Sequence, residues 1–266
     1  CRSCYICKTS DLGYSFMKIV YFLIYFSSLI SFVSCSKKTT VSKFTESHYI
    51  VNNREVDSSI FKTISPYKKV HDEQMFLVLA KSDDVLVKAD VESTLGNFFC
   101  DAVIYETKKI LGKDSAMLDV AVFNKGGLRN SLPKGDITVG NIFELMPFDN
   151  EVVLLKLSGA QFKDMCFKIV EKGGIPVGGM RLVMKGTTPT DITVNGKAFD
   201  ENKDYWVVTS DYLANGGDSY NFFKNAKERK IMNVLLRNVI INYCEDITKL
   251  GKTIKPQLDG RIQISK

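Results

Sequence analysis

Two glycine-centred segments carry side chains that could hold a ligand. Asn124–Arg129 reads NKGGLR and Asp211–Asp218 reads DYLANGGD, and each follows a β-branched run that predicts a strand. Paired glycines let a backbone turn through positive φ and come close to a bound group. Arg129 offers a planar fork for phosphate, and Asp218 offers an acceptor for sugar hydroxyls. One such segment is more often a hairpin turn, whereas two of them, with PFDN at 147–150 between them, indicate a binding site.

The flanking sequence predicts the strands and helices that must position these segments. Apolar residues at helical spacing predict helices at 59–75 with an interruption at Pro66, at 94–111, at 139–146, from Ser158 to Gly173 and at about 228–246. Apolar and β-branched runs predict strands at 49–51, 76–80, 85–87, 118–123, 151–157, 180–185, 192–194, 205–210 and 261–264. This mixture predicts an α/β (α+β) fold in which helices cover sheets.

The start of the chain has the features of an export signal. Met17 and Lys18 precede an apolar stretch at 19–33 that ends before Ser34 and Cys35, with a polar tether behind. The stretch is short for a transmembrane helix, and it resembles a bacterial lipoprotein signal, although Phe32 is bulkier than usual. We expect a lipid-anchored protein of the bacterial envelope that begins at Cys35 and faces the periplasm or the cell exterior. A plain signal peptide or a retained membrane anchor remains an alternative.

Apart from Cys35, the seven cysteines of the chain form two groups of three. The run C-x2-C-x2-C within residues 1–16 lacks a fourth thiolate at the spacing that an iron–sulfur cluster needs. Because it precedes the export signal, we interpret residues 1–16 as upstream translation without a fold. The three cysteines after Cys35 are an odd number in apolar runs, so we predict buried thiols and not a disulfide framework. They are Cys100, Cys166 and Cys244.

The charge of the chain argues against a nucleic-acid surface. The formal net charge is +6 at pH 7, but the lysines are scattered and do not form a stripe with aromatic residues. A mild positive charge suits a protein that meets anionic small molecules.

Five segments, in order and spacing, resemble the C-terminal domain of bacterial and animal 5′-nucleotidases. They lie at 92–97, 124–129, 147–150, 158–159 and 212–218. The resemblance covers about 58–264 and implies a four-layer α/β/β/α sandwich that binds the nucleoside part of the substrate. In that family a separate N-terminal metallophosphatase domain holds two metal ions and performs the hydrolysis. The predicted organisation is an upstream segment at 1–16, a signal peptide at 17–34, a tether with a first strand at 35–57 and the domain at 58–266.

The resemblance also implies a role for individual residues. It places the base between Phe148 and Tyr212, where the family usually has two phenylalanines, and stacking of this kind tolerates any base. Asp218 would accept from ribose hydroxyls, Arg129 would pair with phosphate, and the remaining residues would face the ribose–phosphate edge. The predicted substrate-binding residues are Asn124, Gly126, Gly127, Arg129, Phe148, Tyr212 and Asp218.

Three of these residues also have a structural explanation. Phe148 could pack in the core after Pro147, Arg129 could be a solvated loop charge, and Asp218 could simply form a turn. Two further residues of the first family segment, Glu92 and Asn97, are expected to cap and orient a helix and not to contact ligand.

One residue departs from the family pattern next to the predicted phosphate site. Three residues before Glu92, where the family commonly has arginine, this chain has Ala89. We therefore expect a phosphate contact to be missing, which Lys88 or Lys125 could replace only in part because lysine lacks the bidentate fork.

The chain lacks the residues of a two-metal phosphatase centre. Such a centre needs several His and Asp ligands, whereas this chain has only His48 and His71, outside every motif. There is no Asp-x-His or Gly-Asn-His-Glu sequence in these residues, and the residues before the predicted domain are expected to be too few to hold the catalytic domain. We therefore expect no catalytic residues, metal or cofactor here, and expect divalent metals on a separately encoded metallophosphatase.

Three functions follow from these expectations. The first is nucleotide or nucleoside recognition in a split 5′-nucleotidase that works with the separate metallophosphatase in nucleotide catabolism or salvage. The second is a non-enzymatic nucleotide-binding envelope lipoprotein, and the third is a decayed structural remnant. The retained aromatic, arginine and aspartate residues argue against decay.

Overall fold

The computed structural model describes residue 21 and residues 57–265. The predicted lipidation site Cys35, the tether with its strand at 49–51, His48 and all of the predicted signal peptide except Tyr21 lie outside the described residues. No helix among the described residues combines the length and apolar character needed to cross a membrane.

Residues 57–265 form helices and strands, with the strands β5 to β9 following one another without an α-helix between them. The α-helices are α1 (Ser58–Met75), α2 (Thr94–Leu111), α3 (Val139–Leu145), α4 (Gly159–Glu171), α5 (Asp211–Ala214) and α6 (Leu236–Lys249). The strands are β1 (Val78–Ser82), β2 (Leu118–Val122), β3 (Gly135–Thr138), β4 (Glu151–Ser158), β5 (Val177–Gly178), β6 (Met180–Lys185), β7 (Thr188–Val194), β8 (Lys197–Ala198), β9 (Asp204–Ser210), β10 (Glu228–Leu235) and β11 (Ile262–Ile264).

The strands form three sheets within the described residues. The largest has five strands in the order β10-β4-β9-β2-β5, a second has four in the order β11-β6-β7-β8, and β1 pairs with β3. In the five-stranded sheet β2 and β9 are parallel, whereas β4 is antiparallel to β9. The C-terminal ends of β2 and β9 and the N-terminal end of β4 therefore meet at one edge of the sheet.

The five-stranded sheet separates two apolar cores. Successive residues of a strand point to opposite faces, so Leu154 belongs to the core shared with α2 and α6, and Leu155 to the core shared with α4 and the four-stranded sheet. Both faces of β4 are buried, as its near-continuous apolar sequence requires. The mixed α/β sandwich predicted from the sequence is confirmed.

Several predicted elements are confirmed with small shifts of their ends. Helix α2 has the predicted bounds, and α4 begins after Ser158, whose hydroxyl accepts from the backbone of Gln161 in a capping box. Helix α1 continues through Pro66. The predicted interruption is therefore wrong, because an internal proline removes one hydrogen bond and can bend a helix without ending it.

Two predicted elements differ more. The helix predicted at 228–246 is wrong over its first half, because Glu228–Leu235 forms strand β10, paired with β4, before α6 begins. The strand predicted at 85–87 is reduced to a single bridge between Leu86 and Leu132. The three cysteines predicted to be buried thiols are confirmed, and burial raises the pKa of Cys166 and of Cys244 to about 12.

The segment after α6 is held against the start of α2. Glu92 accepts from the backbone amides of Asp259 and Gly260, and the Asn97 side-chain amide donates to Glu92 and to the carbonyl of Gln257. Ser93 supplies the helix cap. Glu92 and Asn97 thus orient the helix as predicted, and they also fix a segment that lies about 160 residues later in the chain.

An ion-pair cluster, formed by Arg261, Asp101 and Asp259, completes this region. The buried guanidinium of Arg261 donates to both carboxylates over 2.8–3.1 Å, and also to the carbonyl of Val177 over 3.0 Å. Burial alone would lower the pKa of Arg261, but the hydrogen bonds to Asp101 and Asp259 together outweigh burial and raise it.

Candidate functional site

Three loops converge where the ends of β2, β9 and β4 meet. The loop after β2 begins at Asn124 and includes a turn of 3-10 helix at Lys125–Gly127. The backbone N–H of Arg129 donates to Leu145 O over 2.8 Å, which ties this loop to α3. A Cβ on Gly127 would lie only 2.9 Å from Oδ1 of Asn124, so a larger residue here would have to displace the Asn124 side chain. Neither glycine of this loop has a positive φ, contrary to the prediction.

The loop after β9 starts with the single helical turn α5. Ser210 caps it by accepting from Leu213 N over 3.2 Å, and the Asp211 carboxylate accepts from Glu151 N at the start of β4. Gly216 has φ 85°. Among the four glycines of the two segments, it alone has the predicted positive φ.

Tyr212 and Asp218 are joined within this loop. The Tyr212 hydroxyl donates to Oδ1 of Asp218 over 3.0 Å, and Asn124 Nδ2 donates to Oδ2 over 2.6 Å. The two glycine-centred segments, 94 residues apart, are therefore connected through one carboxylate.

The third loop carries Phe148, and the Arg237 side chain holds the backbone of this loop in place. The Arg237 guanidinium donates to the carbonyls of Met146 (3.2 Å) and Phe148 (3.4 Å) and to Oδ1 of Asp149 (2.6 Å). The Phe148 side chain is 42% exposed. The position of Phe148 is therefore set by the hydrogen bonds to the backbone of its loop and not by packing in the core. The interpretation of Phe148 as a core residue is therefore excluded.

The three loops enclose a cavity of about 320 Å³. Phe148 and Tyr212, which is 45% exposed, present their rings to it, and the Arg129 guanidinium lies 5.8 Å from the Phe148 ring centre. All seven predicted binding residues line this cavity: Asn124, Gly126, Gly127, Arg129, Phe148, Tyr212 and Asp218. The cavity has aromatic surfaces for a flat ring, a carboxylate for hydroxyl groups and a guanidinium for an anion.

Sequence reasoning missed two residues of this site. Asn150 lines the cavity, and its carbonyl accepts from Leu236 N over 2.9 Å. Arg237 packs over the Phe143 ring at 4.2 Å and supports the Phe148 loop. Asn150 belongs to the PFDN motif, which was already recognised in the sequence. Arg237 lies in a predicted helix, and no sequence pattern around it indicates a role at the site.

A lysine of the loop after β2 reaches the segment that contains Ala89. Lys125 Nζ lies 3.4 Å from Oδ1 of Asp90, so this lysine reaches the segment where the family arginine is absent. Lys88 and Ala89 are both exposed there. Partial compensation by lysine stays a prediction.

A larger cavity, of about 640 Å³, lies between α2, α6 and the segment after α6. It contains none of the seven predicted residues, and its buried charge, Arg261, is already paired with Asp101 and Asp259. The smaller cavity is the better candidate because its aromatic rings are exposed and its charged groups converge.

The histidine that the structure describes, His71, lies outside this cavity. It is exposed on α1, with Nδ1 3.5 Å from Oδ1 of Asp72. Within residues 57–265, no three His, Cys, Asp or Glu side chains are grouped as a metal site requires.

Comparisons with known proteins point to one family. The family model described as "5′-nucleotidase, C-terminal domain" matches residues 78–225, more than half of the chain. The chain is 30% identical over 188 residues to the trifunctional nucleotide phosphoesterase protein YfkN of Bacillus subtilis, covering 65% of this chain and 12% of that protein. It is 28% identical over 189 residues to cell wall protein Lmo0130 of Listeria monocytogenes, covering 65% of this chain and 24% of that protein.

A solved structure shows the same architecture. The 5′-nucleotidase precursor of Thermus thermophilus superposes with a TM-score of 0.66 and 25% sequence identity, covering 76% of this chain and 42% of that chain. The chain thus spans less than half the length of each of these three relatives.

Proposed function

Because the chain belongs to the 5′-nucleotidase C-terminal domain family, we propose that its cavity binds the nucleoside part of a nucleotide. The observation that carries this proposal is the convergence of Phe148, Tyr212, Arg129 and Asp218 around one cavity of about 320 Å³. The base stacks between the two rings, the carboxylate accepts from the ribose, and the guanidinium pairs with phosphate.

We propose further that the chain is the recognition part of a split 5′-nucleotidase. A separate metallophosphatase supplies the metal ions and the hydrolysis, and the complex serves nucleotide catabolism or salvage. The family model that matches is that of the C-terminal domain, which supports this division of labour. A non-enzymatic nucleotide-binding lipoprotein would use the same cavity. The two functions therefore differ only in whether a partner protein hydrolyses the bound nucleotide.

We expect the protein to bind AMP and adenosine, and each ring to contribute. Removal of one stacking surface costs about 1–3 kcal/mol, so Phe148→Ala and Tyr212→Ala should each weaken AMP binding about 5- to 150-fold in calorimetric titrations. Phe167→Ala is the matched control, because Phe167 is 41% exposed and lies on α4, away from the cavity. Wild-type affinity in both cavity variants would remove the aromatic clamp from the proposal, and no binding by the wild type would end it.

The envelope is the proposed location. One relative is a cell wall protein, and the apolar stretch at 19–33 ends before Ser34 and Cys35. We expect mass spectrometry of the membrane fraction to find a mature N-terminus at Cys35 carrying lipid, and Cys35→Ser to release the protein from that fraction. A soluble wild-type chain that begins elsewhere would contradict lipidation and favour simple secretion.

A further inference from the structure

Tyr212 is fixed at two points even though its ring is half exposed. The ring packs directly on Gly217, where an added Cβ would lie 2.5 Å from ring carbons. Its hydroxyl donates to Oδ1 of Asp218 over 3.0 Å. A phenylalanine at this position would keep the first contact and lose the second.

Asp218 is correspondingly held by two donors. Tyr212 occupies one lone pair of Oδ1, and Asn124 Nδ2 occupies one of Oδ2 at 2.6 Å. A carboxylate has about four acceptor positions, so each oxygen keeps one for a ligand. Asp218 also has φ 51°, a left-handed conformation that a non-glycine residue keeps only when its surroundings fix it. The two protein donors therefore set the plane of the carboxylate.

From this arrangement we propose that the Tyr212 hydroxyl makes the cavity prefer ribonucleosides to 2′-deoxyribonucleosides. The inference rests on the proposed function and deepens it. Tyr212 acts as a positioning residue, because its hydroxyl orients Asp218 so that Oδ1 and Oδ2 each accept from one of the two vicinal ribose hydroxyls. The same tyrosine ring forms one stacking surface, so recognition of the base and of the sugar is coupled through a single side chain.

The preference for ribose arises because a 2′-deoxyribose leaves one acceptor of the Asp218 carboxylate without a donor. A site built to bond a substrate hydroxyl rejects the analogue that lacks it, because one acceptor of the site is left without its donor. Asp218 is only partly buried, so water can reach it and the preference stays moderate. Without the tyrosine hydroxyl only Asn124 holds the carboxylate, which can then turn about its Oδ2 hydrogen bond and bond a single remaining ribose hydroxyl equally well.

The test measures the affinities of AMP, 2′-deoxyAMP and free adenine for the wild type and for Tyr212→Phe. Loss of one charge-assisted hydrogen bond corresponds to about a tenfold or larger change, so we expect the wild type to prefer AMP to 2′-deoxyAMP by about tenfold. In Tyr212→Phe the preference should fall below about threefold, while adenine affinity stays unchanged because the ring remains. Tyr105→Phe is the matched control, since Tyr105 is 41% exposed on α2 and outside the cavity.

Each other outcome overturns the inference in an identifiable way. AMP binding with no preference in the wild type, or a preference that persists in Tyr212→Phe, would show that the hydroxyl does not read the sugar. An equal loss of adenine affinity would show that it only holds the ring. A wild type that binds none of the three ligands would instead refute the proposed function itself.

Discussion

Purified protein should hydrolyse nucleoside monophosphates no faster than buffer with any divalent metal, and activity should appear only when a metallophosphatase partner is added. A dinuclear centre requires several His and Asp ligands, whereas this chain contains two histidines. With the partner, we expect acceleration on the order of 10⁶-fold or more over the uncatalysed reaction, the range of ordinary enzymes. Phosphate release, measured with each component alone and with both together, is the assay.

The partner assay also has an internal control for recognition. Arg129→Ala should lower kcat/KM of the complex on nucleotides by about 10- to 150-fold, the equivalent of one charged hydrogen bond, and leave a small aryl phosphate unaffected. The matched control is Arg181→Ala, an exposed arginine that pairs with Asp259 and lies outside the cavity. Metal-dependent turnover by the chain alone, after rigorous removal of contaminating phosphatases, would mean that these residues contain a catalytic centre of their own.

Arg261→Ala should lower the free energy of unfolding by about 3 kcal/mol, near the lower end of the cost of breaking a buried ion pair. The guanidinium is buried, but Asp101 and Asp259 are partly exposed and can regain water, which limits the loss. The carbonyl of Val177 also loses its donor. Urea denaturation should show a lower midpoint with an unchanged slope.

An exposed arginine of the same region provides the comparison. Arg181 pairs with Asp259 at the surface, so Arg181→Ala should cost less than about 1 kcal/mol. Similar losses in Arg181→Ala and Arg261→Ala would show that burial of the Arg261 guanidinium contributes nothing to stability.

The residues of the candidate site could be predicted because the sequence patterns that indicate them lie within short segments. Each glycine-centred segment follows a strand, and the Phe148 loop precedes one, so all three are recognisable in short stretches of sequence. Their convergence depends on the strand order β4-β9-β2, which the sequence alone does not specify. The family resemblance implied that these residues share one site, and the structure supplies the strand order that brings the loops together.

What the sequence did not predict depends on distant contacts. Residues Glu228–Leu235 contain good helix formers, and they become a strand because β4 offers a pairing edge about 75 residues earlier. The support of the Phe148 loop by Arg237 joins residues 89 apart, and no pattern in either segment indicates it. The left-handed backbone of Asp218 likewise follows from bonds to Tyr212 and Asn124.

The segment held by Glu92 and Arg261 also bears on how the chain folds. Hydrogen bonds that close the domain join residues 160 to 172 positions apart, among them Arg261 to Asp101 and Ser82 to Ile254. Contacts so distant in sequence require a large loop to close first, which slows folding relative to a helical bundle of equal stability. These contacts can therefore form only after the ribosome has released the chain as far as Arg261, so the growing polypeptide remains without a complete domain until then.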